Sequence, residues 1–276
     1  MEVCVSVVIV TYNTKDLTCQ CLESVKAQTK DVSYEIILVD NASTDGSREY
    51  FGQRDDLIYI YSDENLGFGK ANNLGFSKAS GKYLLLLNSD TILNNNAVKL
   101  FYDFMESAPS DIACCGSFLR DRELKVIHSY GRFHTFWNAI VEWYLVPYMG
   151  LLGMKFEKYD YPVAPSDGYA VVEFITGADL FIRRDILGKY GLFDSDFFMY
   201  SEDMDLCRRY RDAGYKSVII EAPRIIHLEG SSYKGNNESR NRMAINSLCL
   251  YMRKRMNRVE YMLFRFLLSL KVKSAS

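Results

Sequence analysis

The chain has 276 residues, 48% of them hydrophobic and 25% charged, with a formal net charge of −2. This is ordinary globular composition, long enough to bury a sizeable core in one large domain or two small ones. The balanced charge excludes a global attraction to nucleic acid or to an anionic membrane, so any such attraction must be local.

Seven cysteines, an odd number without CxxC spacing, argue against a zinc module or a disulfide framework and suit reduced core thiols in a cytosolic protein. The opening MEVCVSVVIVTYN reads as a strand rather than a signal peptide, because no Lys or Arg precedes its apolar run. No stretch approaches the roughly 20 apolar residues of a membrane span. The nearest, Tyr261 to Leu270, contains Arg265.

In chain order, VSVVIV is a β-branched run expected to form a strand covered on both faces. Leu17, Cys21, Leu22 and Val25 then share a helical face. EIILVD (35–40), LIYIY (57–61) and KYLLLL (82–87) are further strands. Between them lie the polar turn NASTDGS with a short helix, and a helix over 68–80 stopped by Gly81. A helix over 94–107 follows. This alternation predicts a Rossmann-like, mostly parallel sheet flanked by helices.

The second half carries a weaker pattern. Residues 128–165 are rich in aromatics without clear period, and VVEFITGADLFIRR reads as two strands meeting at Gly177. SEDMDLCRRYRDAG reads as a helix with Ser201 as N-cap and Gly214 as its stop. KSVIIE returns to strand, and 238–270 is expected to be helical. The simplest account is a single α/β domain over 1–235, divergent at 128–172, with a basic amphipathic helical tail over 236–276.

Three strand-like runs end on polar side chains: Thr11-Tyr12-Asn13, Asp40-Asn41 and Asn88-Ser89-Asp90. In an open parallel sheet these ends share the edge where ligands bind. NLGFGKANNLGF has glycines, but Asn72 stands where a GxGxxG pattern needs its third, so helix-start chemistry accounts for it equally well. Asp90 is a hard oxygen ligand suited to Mg²⁺ or Mn²⁺, and His227 follows another buried strand, either as a second ligand or as a structural histidine. Glu202, Asp203 and Asp205 cluster at one helix start, where acids complement the helix dipole or could supply a general base.

Together, VSVVIVTYN, EIILVDNASTDGS, NLGFGKANNLGF, LLLLNSDT, GLFDSDFFMYSEDMDLCRR and HLEGSS resemble, in order and spacing over about residues 3–235, the inverting glycosyltransferases of family 2. The rhamnosyltransferase-like branch is the most similar. The resemblance implies the GT-A fold and transfer of a sugar from a UDP- or dTDP-sugar, dTDP-rhamnose among them. The acceptor implied is a glycan or a lipid-linked sugar of cell-surface polysaccharide synthesis.

By the same resemblance, Asp40 accepts the imide N3–H of uracil or thymine, where cytosine presents an acceptor instead. Thr11, Tyr12 and Asn13 line the nucleoside, and Asn65, Asn72 and Asn73 lie near the ribose. Asn88, Ser89 and Asp90 occupy the family's DxD motif, with Asn88 replacing the first acid, so a divalent cation, Mg²⁺ or Mn²⁺, would rest on Asp90 and His227. Asp203 is the implied general base with Glu202 orienting it, and Gly177 and Ala178 border the acceptor side.

A non-catalytic sugar-nucleotide or glycan-binding module is the alternative, but it would need no base. A nucleotidyltransferase would need a glycine-rich basic loop that TYNTKDLT does not supply. From Leu250 to Ser276 seven basic residues face one acid among Met, Leu and Phe. That tail suits either peripheral contact with the inner face of a membrane, for a cytoplasmic enzyme, or packing on the catalytic domain. No nucleic-acid partner is expected.

Overall fold

A computed structural model of the chain describes residues 2–141, 168–228 and 237–274. The apolar runs of the first half become β1 (Val5–Thr11), β2 (Tyr34–Asn41), β3 (Ile58–Ser62) and β4 (Tyr83–Asn88). They pair parallel in the order β3-β2-β1-β4. Parallel neighbours need crossovers, and α1 (Lys15–Gln28), α2 (Ser47–Phe51) and α3 (Gly67–Phe76) lie in them. The four leucines of β4 are buried on both faces: Leu84 and Leu86 join one core cluster, Leu85 and Leu87 the other.

After β4 come β5 (Thr91–Leu93), α4 (Ala97–Ser107), β6 (Ile112–Ser117), β7 (Tyr130–Gly131), α5 (Phe136–Ile140), β8 (Tyr169–Val172), β9 (Phe174–Ile175) and β10 (Asp179–Arg183). Then follow α6 (Arg184–Tyr190), α7 (Glu202–Asp212), β11 (Lys216–Ile220), β12 (Ile225–His227), α8 (Asn237–Arg255) and α9 (Arg258–Ser274). The large sheet reads β3-β2-β1-β4-β10-β6-β11-β8, with β10 antiparallel to both β4 and β6. Two short ribbons, β5–β12 and β7–β9, stand beside it. The α/β sheet of the GT-A type is therefore present, parallel in four of its seven pairings.

Several element boundaries differ from expectation. The third helix stops at Phe76 rather than running to Gly81. Gly81 is a point of close approach instead: its amide donates to Ser6 Oγ at 2.8 Å, and a Cβ there would sit 2.5 Å from the Ser6 nitrogen. Ser201 lies at φ 63° and makes no side-chain cap; its carbonyl accepts from the Asp205 amide instead. Gly214, at φ +90°, does close α7.

The span 169–183 holds three strands, not two, and the 238–270 helix is broken at Asn257. Asn257 Oδ1 accepts the amides of Val259 and Glu260 while Glu260 accepts from the Asn257 amide, a reciprocal cap that starts α9. Of the divergent stretch 128–172, the part over 142–167 lies outside the described residues, as do Glu229-Gly230-Ser231-Ser232 of HLEGSS.

The helical tail is part of the core. Tyr251, Met252, Phe264 and Leu268 are buried in the same cluster as Leu84, Leu180 and Tyr210. All seven cysteines are free thiols.

Candidate active site

The parallel strands β1, β2 and β4 bring their C-terminal ends to one edge, and antiparallel β10 brings its N-terminal end there too. Four groups of side chains meet at this edge.

The first is a hydroxyl network. Thr18 Oγ1 donates to Thr11 Oγ1 at 2.8 Å, Thr11 meets Thr14 at 3.1 Å, and Thr14 meets Ser89 Oγ at 3.1 Å. Thr11 and Ser89 are thus buried anchors that tie the β1 loop to the β4 loop. Asn13, at φ 55°, clamps the neighbouring turn: its amide donates to Ser43 Oγ, and its Oδ1 accepts from the Thr44 amide at 2.7 Å. Tyr12 points out and is 45% exposed, so of these three residues it alone offers a broad apolar face to a ligand.

The second group surrounds Asp40. Its side chain is fully buried; Oδ1 accepts from the Ser43 amide at 2.9 Å and Oδ2 from Tyr59 Oη at 2.8 Å. Burial and the hydrogen bond to Asp40 push the Tyr59 phenol well above its usual range, so it stays a donor. Asn41, the other polar residue at this strand end, holds the next loop. It donates to Asn65 Oδ1 and the Gly67 carbonyl and accepts from the Leu66 amide.

Asn65 in turn accepts the Gly67 amide, and Asn73 makes two hydrogen bonds to the backbone of Phe193, at 2.8 and 3.0 Å. Asn72 donates back to the Phe68 carbonyl of its own helix. These three asparagines fix the loop after β3 and helix α3 through hydrogen bonds to backbone.

In the third group, antiparallel pairing of β5 with β12 sets His227 opposite Thr91. His227 Nε2 lies 3.2 Å from Asp90 Oδ1 and 3.4 Å from Asn88 Nδ2. Both Asp90 and His227 are largely buried. A carboxylate oxygen and an imidazole nitrogen at this spacing fit a divalent ion that takes few protein ligands and completes its shell with phosphate and water. Among the described residues no group of three or more His, Cys, Asp or Glu is arranged to hold a metal ion, so phosphate and water would have to complete the shell.

The fourth group is the acid pair. Tyr200 and Ser201 both have positive φ, 71° and 63°, and this strained turn starts α7 at Glu202. Asp203 Oδ2 accepts the Gly177 amide at 3.1 Å and Oδ1 accepts the Met204 amide at 2.8 Å. Burial raises the Asp203 carboxyl, and those amides pull it back. Glu202 is more deeply buried, and burial beside Asp203 pushes it up to about 8. Burial thus raises both carboxyls of the pair, and the Gly177 and Met204 amides oppose the rise at Asp203.

Gly177 and Ala178 connect the last two groups. The Gly177 amide reaches Asp203, while the Ala178 carbonyl accepts the Asn88 amide at 3.0 Å. A Cβ on Gly177 would lie 2.8 Å from the Phe68 ring. The next residue, Asp179, was not anticipated as a site residue. It is fully buried, accepts from the Ser117 amide and hydroxyl at 2.7 and 2.5 Å, and burial pushes it up to about 7. An acid opening an apolar strand, ADLFI, was the available signal; only the antiparallel direction of β10 puts it on the ligand edge.

Residues 6–190 match the family described as Glycosyl transferase family 2. The chain is 28% identical over 232 residues to Rhamnosyltransferase WbbL of Escherichia coli (strain K12), covering 81% of this chain and 83% of that protein. It is 25% identical over 209 residues to the N-acetylglucosaminyl-diphospho-decaprenol L-rhamnosyltransferase of Mycobacterium tuberculosis (strain ATCC 25618 / H37Rv), covering 71% and 67%. Other relatives are longer: the match spans 38% of Glycosyltransferase GlyG of Streptococcus pneumoniae and 15% of an uncharacterized glycosyltransferase of Rickettsia bellii. In fold, the chain is similar to the mannosyltransferase PcManGT from Pyrobaculum calidifontis, solved with GDP-Man and Mn²⁺. That match has a TM-score of 0.62 and 18% identity, covering 92% of this chain and 65% of the other.

Proposed function

The chain belongs to glycosyl transferase family 2, and from that premise we propose that it is an inverting enzyme of cell-surface polysaccharide synthesis. It moves a sugar from a UDP- or dTDP-sugar, dTDP-rhamnose first among them, to a glycan or lipid-linked hydroxyl. The relatives named as rhamnosyltransferases support the sugar, and the one named for a diphospho-decaprenol substrate supports a lipid-linked acceptor. Such an acceptor gives a cytoplasmic enzyme a reason to sit on the inner face of the membrane.

The observation that supports the reading is the Gly177-Ala178 backbone, whose Gly177 amide donates to Asp203 and whose Ala178 carbonyl accepts from Asn88, beside Asp90 and His227. Inverting displacement needs that arrangement, with a base for the incoming hydroxyl and charge stabilisation for the outgoing diphosphate. Asp203 takes the acceptor hydroxyl's proton as the new bond to the anomeric carbon forms and the bond to the diphosphate oxygen breaks. Glu202, protonated at neutral pH, keeps the pair at a single charge and leaves Asp203 as the base.

Asp90 and His227 would hold a divalent ion, which when bound neutralises charge on the diphosphate. An imidazole beside a carboxylate favours Mn²⁺ over Mg²⁺. Asn88 reaches a ribose hydroxyl as a neutral hydrogen-bonding group, and Tyr12 lies against the base. Asp40 can read a uracil or thymine imide if one oxygen accepts a second hydrogen bond beside Tyr59 or Ser43, which its lone pairs allow. A non-catalytic binding module would have no use for Asp203.

Asp203→Asn tests this directly. It should lower transfer by about 10²–10⁴-fold, the usual contribution of a general base, while the thermal shift produced by donor is retained. Unchanged turnover would remove Asp203 from the chemistry, and loss of donor binding alone would make it a binding residue.

A further inference from the structure

α9 has two apolar faces. Phe264 and Leu268 pack inward, but Val259, Met262, Leu263, Phe266 and Leu270 are each between 44% and 67% exposed. At 3.6 residues per turn these five fall on one stripe about 100° wide. Arg258 and Arg265 lie along one flank of the stripe, and the helix as a whole carries four basic residues against one acid. Beside it, α5 packs on α9 and carries Trp137, the most exposed large apolar side chain among the described residues at 71%.

Not all of the basic tail shares this face. Lys254 is paired with Asp194 and Asp196, and Arg255 with Asp205 and Asp212, so these two cations belong to the domain's interior contacts.

We propose that the outward stripe of α9 is the surface on which the protein lies against an anionic lipid bilayer, with Arg258 and Arg265 at the headgroups. A contiguous apolar stripe of this kind marks an interaction site, and the two arginines along its edge match a negatively charged surface. A second copy of the chain would set those cations against their own kind. No described helix is long and apolar enough to cross a membrane, so α9 lies on the surface rather than spanning it. The inference extends the lipid-linked-acceptor reading, but it is measured without turnover, so each can fail alone.

The test is flotation of the full chain with vesicles of phosphatidylcholine alone or mixed equally with phosphatidylglycerol, at low and high salt. The chain should bind the anionic vesicles, with binding weakened by salt. Replacing Met262, Leu263 and Phe266 together by serine should reduce binding on the order of a hundredfold or more. Arg258→Gln with Arg265→Gln should reduce it roughly thirtyfold and flatten the salt dependence, at about 1 kcal/mol per basic side chain. Donor-induced thermal shifts should be unchanged in both variants. Absence of binding to anionic vesicles, or binding indifferent to the serine variant, would overturn the proposal. So would a concentration-dependent dimer that the serine variant abolishes, which would make the stripe a contact between copies.

Discussion

Two adjacent carboxyls at the start of α7 differ because their surroundings differ. Asp203 receives two backbone amides, whereas Glu202 Oε2 is buried with no hydrogen-bond partner among the described residues. The folded state thus raises Glu202 from an ordinary 4.5 to about 8. An acid raised on folding binds a proton that the unfolded chain has already lost, so its contribution to stability declines as pH climbs from about 4.5 to about 8. Glu202→Gln removes that titration without changing shape. The variant should melt above the wild type at pH 8, by several degrees at about 2–4 °C per kcal/mol, and the difference should shrink toward zero near pH 4.5. Calorimetry across that range decides it; a variant that melts lower at pH 8 would mean that Glu202 is charged and paired in the folded protein.

At the scale of elements, the motifs were legible where a few polar residues at one element's end carry the information, as in Asn88-Ser89-Asp90 after a strand or Glu202-Asp203 at a helix start. Partners distant in sequence were not. Nothing local in LIYIY says that Tyr59 will hold Asp40, and Asp205 looks like a helix-start acid until Arg255 of α8 reaches it at 2.6 Å beside Arg209 at 2.9 Å. α8 also holds the strained turn ahead of Glu202 and Asp203: Ser247 Oγ donates to the Met199 carbonyl at 2.6 Å, and Arg240 Nε donates to Tyr200 Oη at 3.2 Å. The tail is therefore a brace for the proposed base. Removing Arg255 leaves buried Asp205 with Arg209 alone, so Arg255→Ala should destabilise by about 1–3 kcal/mol, less than a wholly orphaned charge. It should also lower kcat more than it raises KM, because the turn carrying Asp203 loosens; a drop in stability with kcat untouched would show that α8 does not reach the catalytic turn.

For the molecule as a whole, the parallel half was readable from four apolar runs at regular spacing, while the second half was not, because two-residue strands such as β7 and β9 have no period to read. The consequence is largest at the proposed metal position. Asp90, in the turn between β4 and β5, and His227, at the end of β12, are far apart in sequence, and only the antiparallel β5–β12 ribbon brings them within 3.2 Å. With Asn88 where a second acid would stand, the ion's affinity depends on both residues and on the ligand's phosphates. Mn²⁺ alone should then stabilise the protein little, UDP or dTDP alone modestly, and the two together by more than their sum. At a hundred times the dissociation constant that stabilisation is about 2.7 kcal/mol. His227→Ala should abolish the excess over additivity while leaving the shift from nucleotide alone, and a chelator should do the same to the wild type. Additive shifts in the wild type, or an excess that survives in His227→Ala, would place the ion elsewhere and leave the Asp90–His227 contact a structural pair beneath the cleft.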